Sequence, residues 1–142
     1  MTGNLPEQLL WQRLRPFLVK AGAHVSRIEN ALDPGTPDIS YCLRGRERLL
    51  ELKVALPPPK KLTLTSRVHV KIRREQKIWW TERHRAGGQV KVLLEVSGWP
   101  TRYLLLNGQQ LLEHDRWFDL SRLASWSGDK FNVDLLRALS ET

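Results

Sequence analysis

The chain has 142 residues, 41% of them hydrophobic, which is enough for one domain with a single core. Lys and Arg outnumber Asp and Glu by 23 to 15, so the net charge of +8 favours a polyanionic partner, nucleic acid before an anionic membrane. The single cysteine, Cys42, excludes an internal disulfide, and no Cys/His cluster offers a zinc site. Neither a signal pattern nor an apolar run long enough to cross a bilayer is present, so we expect a soluble cytoplasmic protein without a membrane partner.

The first predicted elements are a helix and three strands. An amphipathic helix is predicted over 7–20, because apolar residues recur there at spacings of three and four. A short strand over 23–29 follows. The turn-rich segment "NALDPGTP" then leads into a β-hairpin with strands at 38–43 and 49–54 and a turn at Gly45.

The second half of the chain predicts a crossover and a further set of short elements. The proline-rich segment 56–66 predicts an exposed loop, and 73–86 predicts a helix that ends at two glycines. A buried strand, "QVKVLLEV", follows, so the helix connects two strands that should be adjacent and parallel. The closing elements are a strand over 101–106 and helices over 108–114 and 129–139. This order predicts an α/β domain.

Polar side chains fall on one face of the hairpin. Glu51 and Lys53 project together, opposite to the leucines of their strand, and Asp38 projects opposite to Ile39. A turn of even length makes the numbers of paired residues sum to 89 or 91, so Asp38 faces either Glu51 or Lys53. Both registers match apolar with apolar residues, and both bring the three polar groups within roughly 5 to 8 Å.

This cluster has two interpretations. In the first, Lys53 offsets two carboxylates on a solvated sheet face. In the second, Asp38 and Glu51 bind a hard divalent cation such as Mg²⁺ through oxygen, leaving coordination positions for water and phosphate. Lys53 would then position or deprotonate the attacking water, or stabilise charge on the transition state.

The residues Gly35-Thr36-Pro37-Asp38, followed by Glu51-Leu52-Lys53, resemble the signature of the PD-(D/E)XK nuclease superfamily. The segment "KIRREQKIWWTERHRAGGQVKVLLEV" resembles the virus-type replication-repair (VRR-NUC) and Holliday-junction-resolvase-like branches, particularly small phage-encoded members. The resemblance covers 7–96 and implies a restriction-endonuclease-like αβββαβ core with a mixed central sheet flanked by helices. Residues 97–142 would add a C-terminal strand and helical extension to this single nuclease domain, 1–142.

The resemblance also implies roles for individual residues. Asp38 and Glu51, with the backbone carbonyl of Leu52, would be metal ligands. Lys53 would be the catalytic lysine, and Gln76 a helix residue near the active site.

These branches often add a glutamate from the first helix. Glu7 is the position that aligns with it, and Glu29 is the competitor. Glu7 fits equally well as an ordinary acidic residue that the helix dipole favours near a helix N-terminus.

A run of cations follows the hairpin and would form a surface for nucleic acid. A charge run usually marks only a solvated face, but here it adjoins the proposed active site and could hold a phosphodiester backbone. Trp79 and Trp80 cannot both face one way, so one should pack on the sheet while the other could stack on an unpaired base. We call this surface the basic rim; it consists of Lys60, Lys61, Arg67, Lys71, Arg73, Arg74 and Lys77.

The function favoured by the resemblance and the charge is a Mg²⁺-dependent DNA endonuclease, with Mn²⁺ as a substitute. A metal-activated water would attack the phosphodiester directly, and the absence of a base-reading motif favours structure-selective cleavage of branched or single-strand-containing DNA. Paired nicks in a four-way junction would require a homodimer. A phage-encoded member would act in the host cytoplasm. The alternatives are a noncatalytic nucleic-acid-binding module that keeps the fold, or a nuclease subunit active only with a partner.

Overall fold

The computed structural model describes residues 5–28, 32–55, 68–99 and 101–141. Within these ranges the chain folds as a mixed α/β structure, as the sequence predicts. The elements are α1 (Leu5–Lys20), β1 (His24–Arg27), β2 (Ile39–Leu43), β3 (Arg46–Ala55), α2 (Arg74–Arg85), β4 (Val90–Val96), β5 (Tyr103–Asn107), α3 (Gly108–Glu113), α4 (Trp117–Leu123), β6 (Trp126–Gly128) and α5 (Val133–Ser140).

The six strands form one sheet in the order β1-β2-β3-β4-β5-β6. All neighbours are antiparallel except β3 and β4, which run parallel because α2 carries the chain back between them. The predicted helix crossover between two adjacent parallel strands is therefore confirmed, and the sheet is mixed.

The β2–β3 hairpin has a two-residue turn at Arg44 and Gly45. Their φ angles are 54° and 77°, the left-handed conformation that both central residues of a type I′ turn require. This turn fixes the register, in which Ile39 pairs with Leu50. The residue numbers of this pair sum to 89, which is the first of the two registers that the sequence allows.

The sheet has a hydrophobic core on each face. On one face, leucines of α1 and α5 pack against the sheet around Ile39, Leu50 and Leu105. On the other, Trp80 of α2 and apolar residues of α3 and α4 pack against the valines of β4. The sheet is thus a middle layer between two helical layers, and each polar face residue must be accommodated beneath a helix.

The structure differs from the sequence prediction mainly after residue 113. Helix α4 and strand β6 were not predicted, and α5 begins at Val133 rather than near Asp129. The later start has a local cause, because the side chain of Asn132 accepts a hydrogen bond from Leu135 N at 3.1 Å and caps the helix. The predicted proline-rich loop over 56–66 lies outside the described residues. Among the described helices, none has the length and apolar character needed to span a membrane.

Candidate active site

The hairpin register brings Asp38 beside Glu51. Asp38 immediately precedes β2, next to the last pair of the ladder, Ile39 with Leu50, and its carboxylate acts electrostatically on Glu51. The backbone oxygen of Asp38 accepts a hydrogen bond from Ile28 N at 2.7 Å, so this end of β2 is also tied to the end of β1. The half-buried Asp38 side chain consequently lies on the same face of the sheet as Glu51.

The turn before Asp38 packs against α2. A Cβ atom added at Gly35 would overlap the backbone oxygen of Glu75 and would lie 2.6 Å from Cβ of Trp79, so only glycine fits there. Trp79 Nε1 donates a hydrogen bond to Asp33 Oδ2 at 2.9 Å and fastens the turn from a second point. The glycine of the Gly-Thr-Pro-Asp motif therefore has a packing role that sets where Asp38 lies.

Glu51 and Lys53 are buried beneath α2. Only 2% of Glu51 and 7% of Lys53 is exposed, which shows that the interpretation of a solvated sheet face is wrong. The helix covers this part of β3, and its one buried polar side chain, Gln76, faces the two charged residues. Ionisable groups with so little solvent need partners inside the protein.

Gln76 supplies those partners by bridging the two charged side chains. Its Nε2 donates to Glu51 Oε2 at 3.1 Å, and its Oε1 accepts from Lys53 Nζ at 2.8 Å. Oε1 also accepts from the backbone N of Arg73 at 3.0 Å, which caps the start of α2. Donors on one side and an acceptor on the other fix the orientation of the amide. The ammonium of Lys53 and Glu51 Oε2 are 4.0 Å apart.

Burial and charge repulsion shift the ionisation of these groups. Burial, reinforced by the Asp38 carboxylate and opposed by Lys53, raises the pKa of Glu51 to about 8. Burial also lowers the pKa of Lys53, against the attraction of Glu51. At neutral pH a proton therefore competes with any cation for binding to the carboxylates of this cluster.

One oxygen of the cluster faces a second carboxylate instead of a hydrogen-bond donor. Glu51 Oε1 is buried and receives no hydrogen bond from the described residues, while the nearby Asp38 carboxylate offers no donor unless one of the two acids is protonated. A cation between the two carboxylates would satisfy it. The described residues nevertheless contain no group of three or more His, Cys, Asp and Glu side chains that could hold a metal ion together. Any metal bound here would use a pair of carboxylates with backbone or water oxygens.

Glu7 also belongs to this cluster. It lies on the first turn of α1, is half-buried, and interacts electrostatically with Lys53 and Asp38. Burial raises the pKa of Glu7. Helix α1 thus places a third carboxylate near the site, although not close enough for the three acids to hold one metal ion together. The competitor Glu29 lies outside the described residues.

The basic rim is described in part. Lys71, Arg73, Arg74 and Lys77 are all exposed at the start of α2, whereas Lys60, Lys61 and Arg67 lie outside the described residues. Of the two tryptophans in α2, Trp80 is fully buried in the core and Trp79 is half-buried, with the guanidinium of Arg83 4.5 Å from its ring centre. The described part of the basic rim therefore lies on the first turn of the helix that carries Gln76 and on the residues just before it.

The sequence did not single out Arg27. This residue ends β1, its guanidinium lies 5.4 Å from the ring centre of Trp11, and its charge acts on Glu7. Its Nε is buried without a partner among the described residues. An isolated arginine in a short strand carries no sequence signal, because only the antiparallel pairing of β1 with β2 brings it near Asp38.

No protein-family model matches the chain, and no curated protein matches it. Among solved structures, the chain is similar to Hjc from Archaeoglobus fulgidus, described as a Holliday junction resolvase from an archaeal hyperthermophile. The similarity covers 72% of this chain and 76% of that one, with 19% sequence identity and a TM-score of 0.46.

Proposed function

We propose that the chain is a divalent-metal-dependent nuclease that hydrolyses phosphodiester bonds in DNA. The observation that carries this proposal is Glu51 Oε1, a buried carboxylate oxygen without a donor beside a second carboxylate. A hard cation such as Mg²⁺, or Mn²⁺ in its place, prefers oxygen ligands of this kind. Gln76 binds Lys53, the lysine that hydrolysis would need, and holds it beside the Glu51 carboxylate.

Three groups would hold the metal ion. Two are the carboxylates of Asp38 and Glu51, and the third is the backbone carbonyl of Leu52. Pairing between β2 and β3 ends at Leu50, so the backbone beyond it has left the β2 ladder. Glu7 would contribute an oxygen only through a water molecule, because among the described residues it does not belong to a group of three acids that could share one ion. When bound, the ion would lower the pKa of a coordinated water and neutralise phosphate charge.

Lys53 and Gln76 would act on the attacking water and the phosphate. The lowered pKa of Lys53 favours its neutral form, which would accept a proton from that water, and in its charged form it would stabilise the transition state. Gln76 would keep the lysine directed at the site and leave Glu51 Oε1 free. Water is the nucleophile, and no covalent enzyme intermediate is formed.

The surface around the site supports the proposed class of substrate. The exposed cations at the start of α2 would contact phosphates, which position DNA without reading its sequence. The proposed substrate is therefore branched or single-strand-containing DNA, chosen by shape. Symmetric cleavage of a junction would require two copies of the chain.

A noncatalytic DNA-binding module is the second candidate. The observation in its favour is the near-complete burial of Glu51 and Lys53, which also fits a purely structural polar network. Titration with Mn²⁺, followed by calorimetry or electron paramagnetic resonance, separates the two candidates. Saturable binding that is lost in Glu51→Gln supports the nuclease, whereas an absence of saturable binding to the unsubstituted chain supports the module.

A further inference from the structure

Two cations lie together on the face of the sheet opposite to the candidate active site. Lys91 of β4 pairs with Leu50, and Arg48 of β3 pairs with Tyr41. Leu50 and Tyr41 both belong to the core beneath α1 and α5. Directly paired residues share a face, so the side chains of Lys91 and Arg48 project towards that same layer.

Lys91 is nearly buried, and no described residue forms a hydrogen bond or an ion pair with its ammonium. Only 8% of the residue is exposed. Burial lowers the pKa of Lys91, and repulsion from Arg48 lowers it further. Glu141, at the end of α5, attracts Lys91 from beyond ion-pair distance.

Arg48 is only partly satisfied. Its NH1 donates to the backbone oxygen of Glu47 at 2.8 Å, but its Nε is buried without an acceptor among the described residues. Tyr41 supplies no countercharge, because its hydroxyl donates to Leu139 O at 2.6 Å and burial raises its pKa. The carbonyls at the end of α5 contribute at most a partial negative charge, roughly half an elementary charge.

The same face shows how this fold neutralises a buried charge elsewhere. Glu95, also on β4 and 2% exposed, is bound by Arg13 and by Arg102, whose Nε donates to it at 2.6 Å. Buried charges are ordinarily paired in this way. Lys91 and Arg48 depart from that pattern and present two cations with unfilled donors.

We propose that Lys91 and Arg48 form a binding site for a phosphate group, carried by a nucleic-acid backbone or by a small phosphate. A guanidinium fork beside an ammonium matches the several acceptor oxygens of phosphate, and the anion would relieve the repulsion between the two cations. The site is on the other face of the sheet from Glu51 and Lys53, so it does not depend on the proposed nuclease activity.

Thermal unfolding of the full chain tests this site. Inorganic phosphate, compared with chloride at equal ionic strength, should raise the Tm of the unsubstituted protein in a saturable way. Lys91→Met keeps the aliphatic stem, so it should unfold at a higher Tm without phosphate and gain nothing from it. Arg48→Gln should lose most of the gain, while the matched control Arg44→Gln, on the same hairpin, should keep it.

Lysine side-chain NMR distinguishes the two sources of phosphate. A blunt DNA duplex that shifts the Lys91 Nζ resonance identifies the nucleic-acid backbone as the ligand, and a shift with inorganic phosphate alone identifies a small phosphate. Absence of a shift with both probes overturns the proposal. An equal phosphate-dependent rise of Tm in Arg48→Gln and Arg44→Gln also overturns it, even if Lys91→Met does not fold.

Discussion

Gln76 Nε2 donates a hydrogen bond to Glu51 Oε2 at 3.1 Å, and so a helix residue fixes the carboxylate of a residue 25 positions earlier in the chain. The same amide holds Lys53 and caps the start of α2. One side chain therefore links the helix start, the lysine and the carboxylate. Catalysis and local stability should both respond when it is removed.

Gln76→Ala should lower the free energy of unfolding by about 1–3 kcal/mol, because the buried Lys53 ammonium loses its acceptor. It should also reduce cleavage about 10- to 100-fold, the usual effect of losing a group that orients a ligand or catalytic residue. Urea unfolding and single-turnover cleavage measure the two effects.

Gln110 provides a matched control. Its Oε1 accepts from Asn107 N at 3.0 Å at the start of α3, the same capping arrangement without the site residues. Gln110→Ala should lose stability, by about 1 kcal/mol, and keep its cleavage rate. An equal loss of cleavage in both variants would show that Gln76 only caps the helix and does not orient the catalytic residues.

The stability of the metal-free protein should fall as pH rises from about 5 to 8. The pKa of Glu51 is raised from 4.5 to about 8, so across this window the folded chain binds a proton that the unfolded chain has released. Glu51→Gln lacks this proton exchange and the repulsion with Asp38. It should be more stable than the unsubstituted chain near pH 8, and its unfolding free energy should depend less on pH. Urea unfolding in EDTA at several pH values measures this, and parallel pH profiles would contradict it.

Gly35→Ala should disturb the site from outside it. The new methyl group would push the turn away from Glu75 and Trp79, at a cost of about 1–3 kcal/mol, and would displace Asp38. Mn²⁺ affinity should fall with stability. Gly45→Ala is the control: its φ of 77° makes alanine strained, but it has open space around it and lies at the far end of the hairpin. It should lose stability while Mn²⁺ affinity is retained, and an equal fall of affinity in both variants would contradict the account.

The basic rim should govern DNA affinity rather than the chemical step. Replacing Arg74 and Lys77 together by glutamine should weaken DNA binding and reduce the dependence of log K on log salt by about 1 for each phosphate that the protein no longer neutralises. Lys130→Gln, an exposed lysine near β6, should change neither quantity. Fluorescence anisotropy at several salt concentrations measures both. An unchanged salt slope in the double variant would place the DNA elsewhere.

The sequence predicted the hairpin well because its determinants are local. The alternation of apolar and polar residues predicted which side chains share a face of β2 and β3. The turn at Gly45 limited the strand register to two possibilities, and one of them occurs in the structure. These local features place Asp38 beside either Glu51 or Lys53, and the turn at Arg44 and Gly45 selects Glu51. The sequence also placed Gln76 on the helix after the hairpin, though only the family resemblance pointed to it.

The parts that sequence patterns missed depend on contacts between distant segments. Nothing near Glu51 indicates that α2 covers it, since that burial depends on the crossover between β3 and β4. Strand β6 has three residues and exists by pairing with β5, where Trp126 is opposite Leu105. Lys91 lies within an apolar run of the sequence. Its burial, without an ion pair among the described residues, can be recognised only once β3 and α5 are packed around it.

Cleavage of labelled four-way junction, flap, duplex and single-stranded DNA, with Mg²⁺ or with EDTA, tests the central claim most directly. The chain should cut at least one branched or single-strand-containing substrate with Mg²⁺ and none with EDTA. Asp38→Asn, Glu51→Gln and Lys53→Met should each lower the rate by about 10²–10⁴-fold while DNA affinity is largely retained. Cleavage that is indifferent to metal, or that continues at the unsubstituted rate in Glu51→Gln, would contradict the account.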